Sequence, residues 1–347
     1  MLTRRAAKSI LRFLPNEILT EIIAVSPPTT QAALCRASRL FNKLATCFLY
    51  RTIVLTTVPA LDRCCRTLKN RREEALLVKS FDISGCVMDL EIFDIHSFNM
   101  SQALVSMKNL ESLTFAFGKS APPYILAVAQ TTFPHLRRLL IRVTPFYEKN
   151  LTEFLARHPA LTVLKLFGRS PFLADLDAVT FPNLRYLKAH AGALAPVIRG
   201  NRLTGAEVSW HAPTEDIAQP TAALRAGSAD SLVKLVCFRP GANVDLIAHV
   251  AEHLPCVAVL KVIAPSALQP AAHDKATVQA IAAALTRFTQ LRTFEYTYCL
   301  RVNRFEDRVT VISWARVCPT LKQCTLNGVI WKRRLSTGEW RCMRKRT

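Results

Sequence analysis

A pair of histidines with the spacing of a zinc-binding motif lies in the C-terminal half of the chain. The segment His249-Val-Ala-Glu252-His253 has the H-x-x-E-H order, in which two histidines one helical turn apart can share a metal ion and the glutamate can act as general base. The apolar residues around it recur on one face of a helix, which places the histidines and Glu252 on the solvent side; they are Leu246, Ile247, Val250, Ala251 and Leu254. Because no convincing third ligand accompanies the pair, no metal site is predicted.

Other motifs for catalysis or cofactor binding do not occur in the sequence. There is no G-x-S-x-G, P-loop or G-x-G-x-x-G segment, and ten glycines in all leave little material for phosphate-binding loops. The eleven cysteines are an odd number without a C-x-x-C pair, which argues against a disulfide framework or zinc site and fits a reducing intracellular compartment. Cys237 and Cys324 fall on predicted core positions and are interpreted as small buried hydrophobic residues. The sequence therefore predicts a non-catalytic protein without a cofactor.

Composition narrows the class of protein further. The chain has 347 residues, of which 50% are hydrophobic, and a net charge of +21. That apolar content excludes global disorder, and the absence of 18 consecutive apolar residues excludes a transmembrane helix. The charge is compatible with nucleic acid, an anionic membrane or an acidic protein as partner.

A short unit, x-Leu-x-x-Leu-x-Leu, recurs along most of the chain. Clear copies include MKNLESLTF, FPHLRRLLI, HPALTVLKL and FPNLRYLKA, and ten copies begin 19 to 34 residues apart between positions 78 and 321. The last two apolar positions of each copy alternate with polar ones, which predicts a half-buried strand, and amphipathic helical patterns lie between the copies. Stacking such strand-plus-helix units buries one continuous core.

This pattern resembles a leucine-rich-repeat solenoid over residues 75–330. The resemblance implies an α/β fold, a horseshoe of about ten strand-plus-helix units. An ordinary α/β domain with parallel strands is the alternative interpretation.

The segment 11–55 has a different pattern, with short helices and no repeat. Pro15 suits a helix start, an apolar stripe follows at helical spacing, and Pro27-Pro28 separates it from a second amphipathic helix. Because so short a helical element buries little surface alone, it must pack against a neighbour or a partner.

Residues 11–55 resemble an F-box. The family's opening Leu-Pro-x-Glu-Ile-Leu is matched from Leu14 to Leu19, the middle pattern by CRASRLFNKLA, and the end by Leu49-Tyr50-Arg51. An F-box followed by leucine-rich repeats resembles fungal F-box proteins, and implies a substrate receptor of an SCF-type cullin–RING ubiquitin ligase. The resemblance assigns docking on the Skp linker subunit to Leu14, Pro15, Ile18, Leu19, Ile22, Leu34, Leu40 and Phe41. Packing of the same residues as the cap of the solenoid is the alternative.

In such a receptor the repeats bind the target protein. Side chains that flank the ladder positions would line the concave face, where Arg or Lys next to apolar residues suits an acidic or phosphorylated protein segment. The residues predicted for this role are Arg138, Arg142, Lys165, Phe167, Tyr186, Lys188, Lys234, Phe238 and Lys261. Solvated lysines that merely protect the strands are the alternative.

The two ends of the chain are basic. Residues 1–10 are predicted as a basic tail, 56–74 as a connecting helix, and 331–347 as a capping hairpin with a basic tail. The charged C-terminal end also fits a nuclear import signal or contact with nucleic acid or an anionic membrane. We expect the protein in the cytoplasm, the nucleus or both. The alternatives to a ligase receptor are a basic repeat protein that binds nucleic acid, and an F-box scaffold outside a ligase.

Overall fold

The computed structural model describes residues 14–86, 90–115, 131–142, 148–168, 179–198, 200–241, 243–264, 275–297, 304–334 and 336–343. The chain divides into two compact units, Met1–Leu139 and Leu140–Thr347, which are described separately. In the described residues the protein is mixed α/β, and its strands pair mostly in parallel. This confirms the predicted α/β class. No helix in these ranges is long and apolar enough to span a membrane.

The first unit begins with three helices and continues into parallel strands. Its elements are α1 (Asn16–Ala24), α2 (Pro28–Ala37), α3 (Arg39–Arg51), β1 (Thr52–Val54), α4 (Val58–Asn70), α5 (Arg72–Leu77), β2 (Ser80–Asp82), α6 (Leu90–Ser106), β3 (Ser112–Phe115) and the start of β4 (Arg138–Arg142). Strand β1 pairs with β2, and β2 pairs with β3. The amides of Arg137 and Arg138 both donate to the carbonyl oxygen of Glu111, at 2.9 and 3.0 Å.

Polar and proline residues determine where the first helices begin and end. Pro28 is the first residue of α2, where a fixed φ and a missing N–H cost little. Helix α3 begins after Ser38, whose Oγ accepts a hydrogen bond from the amide of Phe41 at 3.2 Å. The buried Gln31 donates through Nε2 to the carbonyl oxygen of Ile23 at 3.0 Å, which joins the end of α1 to α2.

Two details of the first unit differ from the sequence prediction. Segment 11–55 already contains a strand of the sheet, β1, because Ile53 is buried and β1 pairs in register with β2. The single connecting helix predicted over 56–74 is instead two helices, which are separated at Arg71, where φ is −119° and ψ is 86°.

The second unit is a run of parallel strands with intervening helices that ends in an antiparallel hairpin. Its elements after β4 are α7 (Glu148–Ala156), β5 (Val163–Phe167), β6 (Tyr186–His190), α8 (Leu194–Ile198), β7 (Gly205–Ser209), α9 (Ala218–Ser228), β8 (Lys234–Phe238), α10 (Val244–His253), β9 (Val259–Ile263), α11 (Lys275–Leu285), β10 (Thr293–Thr297), α12 (Arg304–Val317), β11 (Gln323–Leu326), β12 (Val329–Arg333) and β13 (Trp340–Met343). Strands β5 to β10 each pair in parallel with the next strand, so the parallel part of the sheet ends at β11. Strands β12 and β13 continue the sheet in antiparallel pairing.

The core of the second unit consists of ladder residues in register. One buried row across β5 to β11 contains Leu164, Leu187, Ala206, Leu235, Leu260, Phe294 and Cys324. A second row contains Ala189, Val208, Cys237, Val262, Tyr296 and Leu326. The repeat pattern assigned these positions to the interior of strands, so that part of the prediction is confirmed.

Candidate protein-binding surfaces

Helix α1 has a buried face and an exposed apolar face. Leu19 and Ile23 are 4% and 1% exposed, whereas Ile18 and Ile22 are 42% and 50% exposed. Residues four apart lie on the same side of a helix, so Ile18 and Ile22 form one apolar stripe. A partner that covers this stripe would recover the hydrophobic free energy that its exposure to water costs.

Helices α2 and α3 pack against each other and leave a second apolar position on the surface. Leu40 at the start of α3 is exposed, while Leu34 and Phe41 are half-buried. The side chain of Asn42 donates to the carbonyl oxygen of Cys35 at 3.0 Å, which holds the start of α3 against the end of α2. The backbone that presents Leu40 is therefore well fixed.

The eight residues predicted to dock on a linker subunit fall into three groups. Four are exposed, namely Pro15, Ile18, Ile22 and Leu40, and three are half-buried, namely Leu14, Leu34 and Phe41. Leu19 is the exception, because its side chain packs inside the first unit and supports α1. Sequence reasoning missed Val25, which is 86% exposed just after α1, although it follows Ile22 by three residues and Ile18 by seven, the spacing of one helical face.

In the second unit, the side of β5 to β11 opposite the core carries mostly half-buried polar and aromatic side chains, with Val236 and Thr325 as buried members. Its central row, in register, is Lys165, Lys188, Glu207, Val236, Lys261, Glu295 and Thr325. Seven of the residues predicted to bind a target lie on this strand face: Lys165, Phe167, Tyr186, Lys188, Lys234, Phe238 and Lys261. The other two, Arg138 and Arg142, lie on β4, where the first is exposed and the second is half-buried.

Lys188 is at the centre of a cluster of charged and aromatic side chains. Its Nζ lies 2.7 Å from Glu207 Oε2 and 4.9 and 5.2 Å from the ring centroids of Phe167 and Phe238. Tyr186 donates its hydroxyl hydrogen to Glu207 Oε1. The ammonium group is therefore held by one carboxylate and two aromatic rings.

Gly205 makes room for the tyrosine in this cluster. A Cβ atom at position 205 would lie 2.8 Å from Tyr186 Cδ2 and 3.1 Å from Cε2. Gly205 is the register partner of Tyr186 on the neighbouring strand, so the ring lies across the glycine and its hydroxyl reaches Glu207, two residues further along β7. A side chain at position 205 would displace the ring and break the hydrogen bond from the Tyr186 hydroxyl to Glu207.

The charges of the cluster are set by these contacts. Burial by itself would raise the pKa of Glu207, but hydrogen bonds from Lys188 and Tyr186 and the charges of Lys188 and Lys165 outweigh it and lower this pKa. Burial and the hydrogen bond to Glu207 raise the pKa of the Tyr186 phenol. At neutral pH Glu207 is therefore a carboxylate and Tyr186 a neutral phenol.

The lysines of the strand face are not equally available to a ligand. Lys188 and Lys261 each have a carboxylate partner, since Lys261 Nζ lies 2.6 Å from Glu295 Oε2. Lys165 lies 5.6 Å from the ring centroid of Tyr186, and it has no ion pair among the residues that the structure describes. Sequence reasoning missed Glu207 because the repeat copy that contains it, around 203–208, matches the pattern weakly.

A second polar cluster involves histidines at the end of β6. His190 Nε2 lies 3.0 Å from Glu215 Oε2, and the His190 ring stacks on that of His211 with centroids 4.5 Å apart. The amide of Gly192 donates to His190 Nδ1 at 3.3 Å, whereas the buried His190 Nε2, although close to Glu215, makes no hydrogen bond among the described residues. These contacts fix the chain after β6 to the loop before α9.

The motif considered first for metal binding does not assemble a site. The ring centroids of His249 and His253 are 5.9 Å apart, and His253 Nδ1 lies 3.4 Å from Arg225 Nη1. Within the described ranges no three His, Cys, Asp or Glu side chains are grouped to hold a metal ion. Cys237 and Cys324 are fully buried, and burial raises the pKa of both thiols, which keeps them protonated.

No protein-family model matches the sequence, and a comparison with curated proteins finds no match either.

Proposed function

We propose that this protein is a non-catalytic substrate receptor of an SCF-type cullin–RING ubiquitin ligase. The N-terminal helices bind the Skp-type linker subunit, and the strand face of the second unit binds the target protein. The receptor acts by position, because it raises the effective concentration of the target near the ubiquitin-loaded enzyme.

The exposed stripe on α1 is the observation that carries the proposal. Ile18 and Ile22 belong to the helix that follows Leu14-Pro15, the part of the chain with the strongest F-box resemblance, and both are about half exposed. An amphipathic helix whose outer face is also apolar fits binding in a partner's hydrophobic groove. A helix that only caps the repeats would not need apolar residues on its outer face.

The strand face supports the second part of the proposal. It combines aromatic rings, two ion pairs and Lys165, which has no ion pair within the described ranges, and its half-buried side chains are held in place by mutual contacts. A surface of fixed aromatic and charged groups suits specific recognition of a protein segment. We therefore propose this face for the target, with an apolar or aromatic residue and a carboxylate or phosphate as recognised groups.

Co-purification with a Skp-type linker subunit tests the proposal. The full chain is co-expressed with the linker, and the bound linker is measured for wild type and for Ile18→Asp with Ile22→Asp. We expect affinity to fall by about 100-fold or more, because two apolar contacts are lost and two carboxylates face a hydrophobic groove.

The matched control is Val233→Asp with Val309→Asp. These two residues are also branched, apolar and about half exposed, but they lie in the second unit. The control should bind the linker as wild type does. Absence of linker binding by the wild type, or equal loss in both double variants, would contradict the proposed function.

A further inference from the structure

The antiparallel hairpin β12–β13 forms the last two strands of the sheet in the second unit. It is firmly anchored, because Trp331 and Trp340 are both buried. Strand β13 pairs with β12 on one side, and no described strand pairs with its other side. Arg341, Cys342 and Met343 are all exposed along it. Among the described residues, the backbone N–H and C=O groups on the outer side of β13 therefore have no strand partner and can accept an additional strand.

This hairpin concentrates positive charge. Lys332 and Arg341 are direct register partners, so two like charges face each other across the strand pair. Arg333 and Arg334 are also exposed, and Glu339 is the only acidic residue between 329 and 343. The Glu339 carboxylate lies 3.6 Å from Arg341, and both side chains are about 60% exposed, so it offsets little of the charge.

The basic surface extends onto the neighbouring strands. The amide of Arg333 donates to the carbonyl oxygen of Lys322 at 2.9 Å. The amide of Lys322 in turn donates to the carbonyl oxygen of Arg292 at 2.8 Å. These hydrogen bonds place three exposed basic residues side by side, one on β12 and the others directly before β11 and β10, and neighbouring strands of a sheet lie about 4.8 Å apart. Their mutual repulsion is relieved when an anionic partner binds.

We propose that the outer edge of β13 is a docking site for an acidic, extended peptide segment of a partner protein, which adds to the sheet as one more strand. Main-chain hydrogen bonds to β13 supply part of the affinity, and acidic side chains meet Lys332 and Arg341. The site shares no residues with the α1 stripe or the strand-face cluster. The proposal for β13 therefore does not depend on the functions proposed for those two surfaces.

The same charges discriminate between possible occupants of the edge. A second copy of this chain would bring an equally basic edge, which repels the first. Single-stranded nucleic acid is favoured by exposed aromatic rings on which bases stack, but both aromatic residues of the hairpin are buried. An acidic strand satisfies both the charges and the open hydrogen-bonding groups.

Titration of the full-length protein with three labelled probes tests this proposal. The first is a peptide of about eight residues with alternating glutamate and valine, a length typical of a strand. The second is the same peptide with alternate backbone nitrogens methylated, which keeps the charges but removes donors needed for strand pairing. The third is an oligothymidine of about twenty nucleotides, which offers phosphates without peptide groups.

Two variants separate a local site from the overall charge. Lys332→Glu with Arg341→Glu reverses the facing pair on the hairpin. Lys275→Glu with Arg287→Glu makes the same change in net charge at two exposed positions of the same unit, on and just after α11. We expect the acidic peptide to bind about tenfold or more weakly to the hairpin variant and at nearly wild-type strength to the control. The methylated peptide should bind the wild type about tenfold more weakly than the plain peptide.

Three results would overturn the proposal. Equal weakening by both double variants would show attraction to net charge alone. Equal affinity for the plain and methylated peptides would exclude strand addition. Tighter binding of oligothymidine than of the acidic peptide, lost in the hairpin variant, would assign the surface to nucleic acid instead.

Discussion

Removal of the Glu207 charge gives the sharpest test of how the strand face is held together. In Glu207→Gln the side chain keeps its size, and the amide oxygen still accepts the hydrogen bond from Tyr186. The negative charge beside Lys188 disappears, however, while Lys165 remains the register partner of Lys188 on the next strand. The variant therefore leaves two facing ammonium groups without their carboxylate.

The expected loss of stability follows from the burial of the ion pair. The side chains of Lys188 and Glu207 are 24% and 18% exposed. Exposed pairs contribute about 0–1 kcal/mol, and removal of one partner of a fully buried pair costs about 3–5 kcal/mol. A mostly buried pair lies between these limits, so we expect Glu207→Gln to lower the free energy of unfolding by about 2 kcal/mol. Further substitution of Lys188→Met, which keeps an unbranched apolar side chain but removes the ammonium group, should recover about half of that loss.

Urea unfolding followed by tryptophan fluorescence measures this effect in the correct part of the molecule. All four tryptophans, Trp210, Trp314, Trp331 and Trp340, lie in the second unit. Because the folded-state pKa of Glu207 is lowered, its stabilisation is complete above the ordinary carboxyl pKa of about 4.3 and is lost as the pH falls through the lowered value. The difference between wild type and Glu207→Gln should thus be constant above about pH 5 and shrink at lower pH. Equal unfolding midpoints at neutral pH would refute the role given to this ion pair.

Two further predictions concern the core of the second unit. Gly205→Ala should lower the free energy of unfolding by about 1–3 kcal/mol in the same assay, because the new Cβ would lie 2.8 Å from Tyr186 Cδ2. Tyr186→Ala in that background should relieve most of the clash. An unchanged free energy of unfolding in Gly205→Ala would contradict the observed position of the ring. Treatment with iodoacetamide, followed by peptide mass analysis, should show modification of the exposed Cys342 in the native protein. Cys237 and Cys324 should react only after unfolding, because burial raises the pKa of both thiols. Rapid modification of either one in the native protein would show that it is accessible.

The strands of the second unit were predictable because each repeat copy contains its own periodicity. In β9, Leu260 and Val262 are buried and Lys261 between them is half-buried, as alternation requires. Strand β8 shows the limit of this rule. Val236 shares a side with Lys234 but is buried, and its register partners on the neighbouring strands are Glu207 and Lys261.

The contacts of the candidate site were not predictable, because they depend on register between strands rather than on spacing within them. Lys188 and Glu207 are register partners on β6 and β7, but the length of the connection between two repeats varies along the chain. Periodicity gives each strand its faces and says nothing about which residues of two strands lie side by side. The same limit applies to Leu19, whose burial depends on how α1 packs within its unit.

The distribution of charge on the strand face separates the two surfaces proposed for protein partners. Strands β5 to β11 contain four lysines and two glutamates, a net charge of only +2 in a chain of +21. Both glutamates are paired with lysines, so an acidic ligand would have to compete with Glu207 for Lys188 and with Glu295 for Lys261. It would gain more from Lys165 and Lys234. A segment with many carboxylates is therefore poorly matched to this face, whereas the hairpin edge offers several basic groups with a single exposed carboxylate among them. A target of the proposed kind would therefore match this face best with an apolar group and one or two negative charges, and most of the net charge of the chain lies outside these strands.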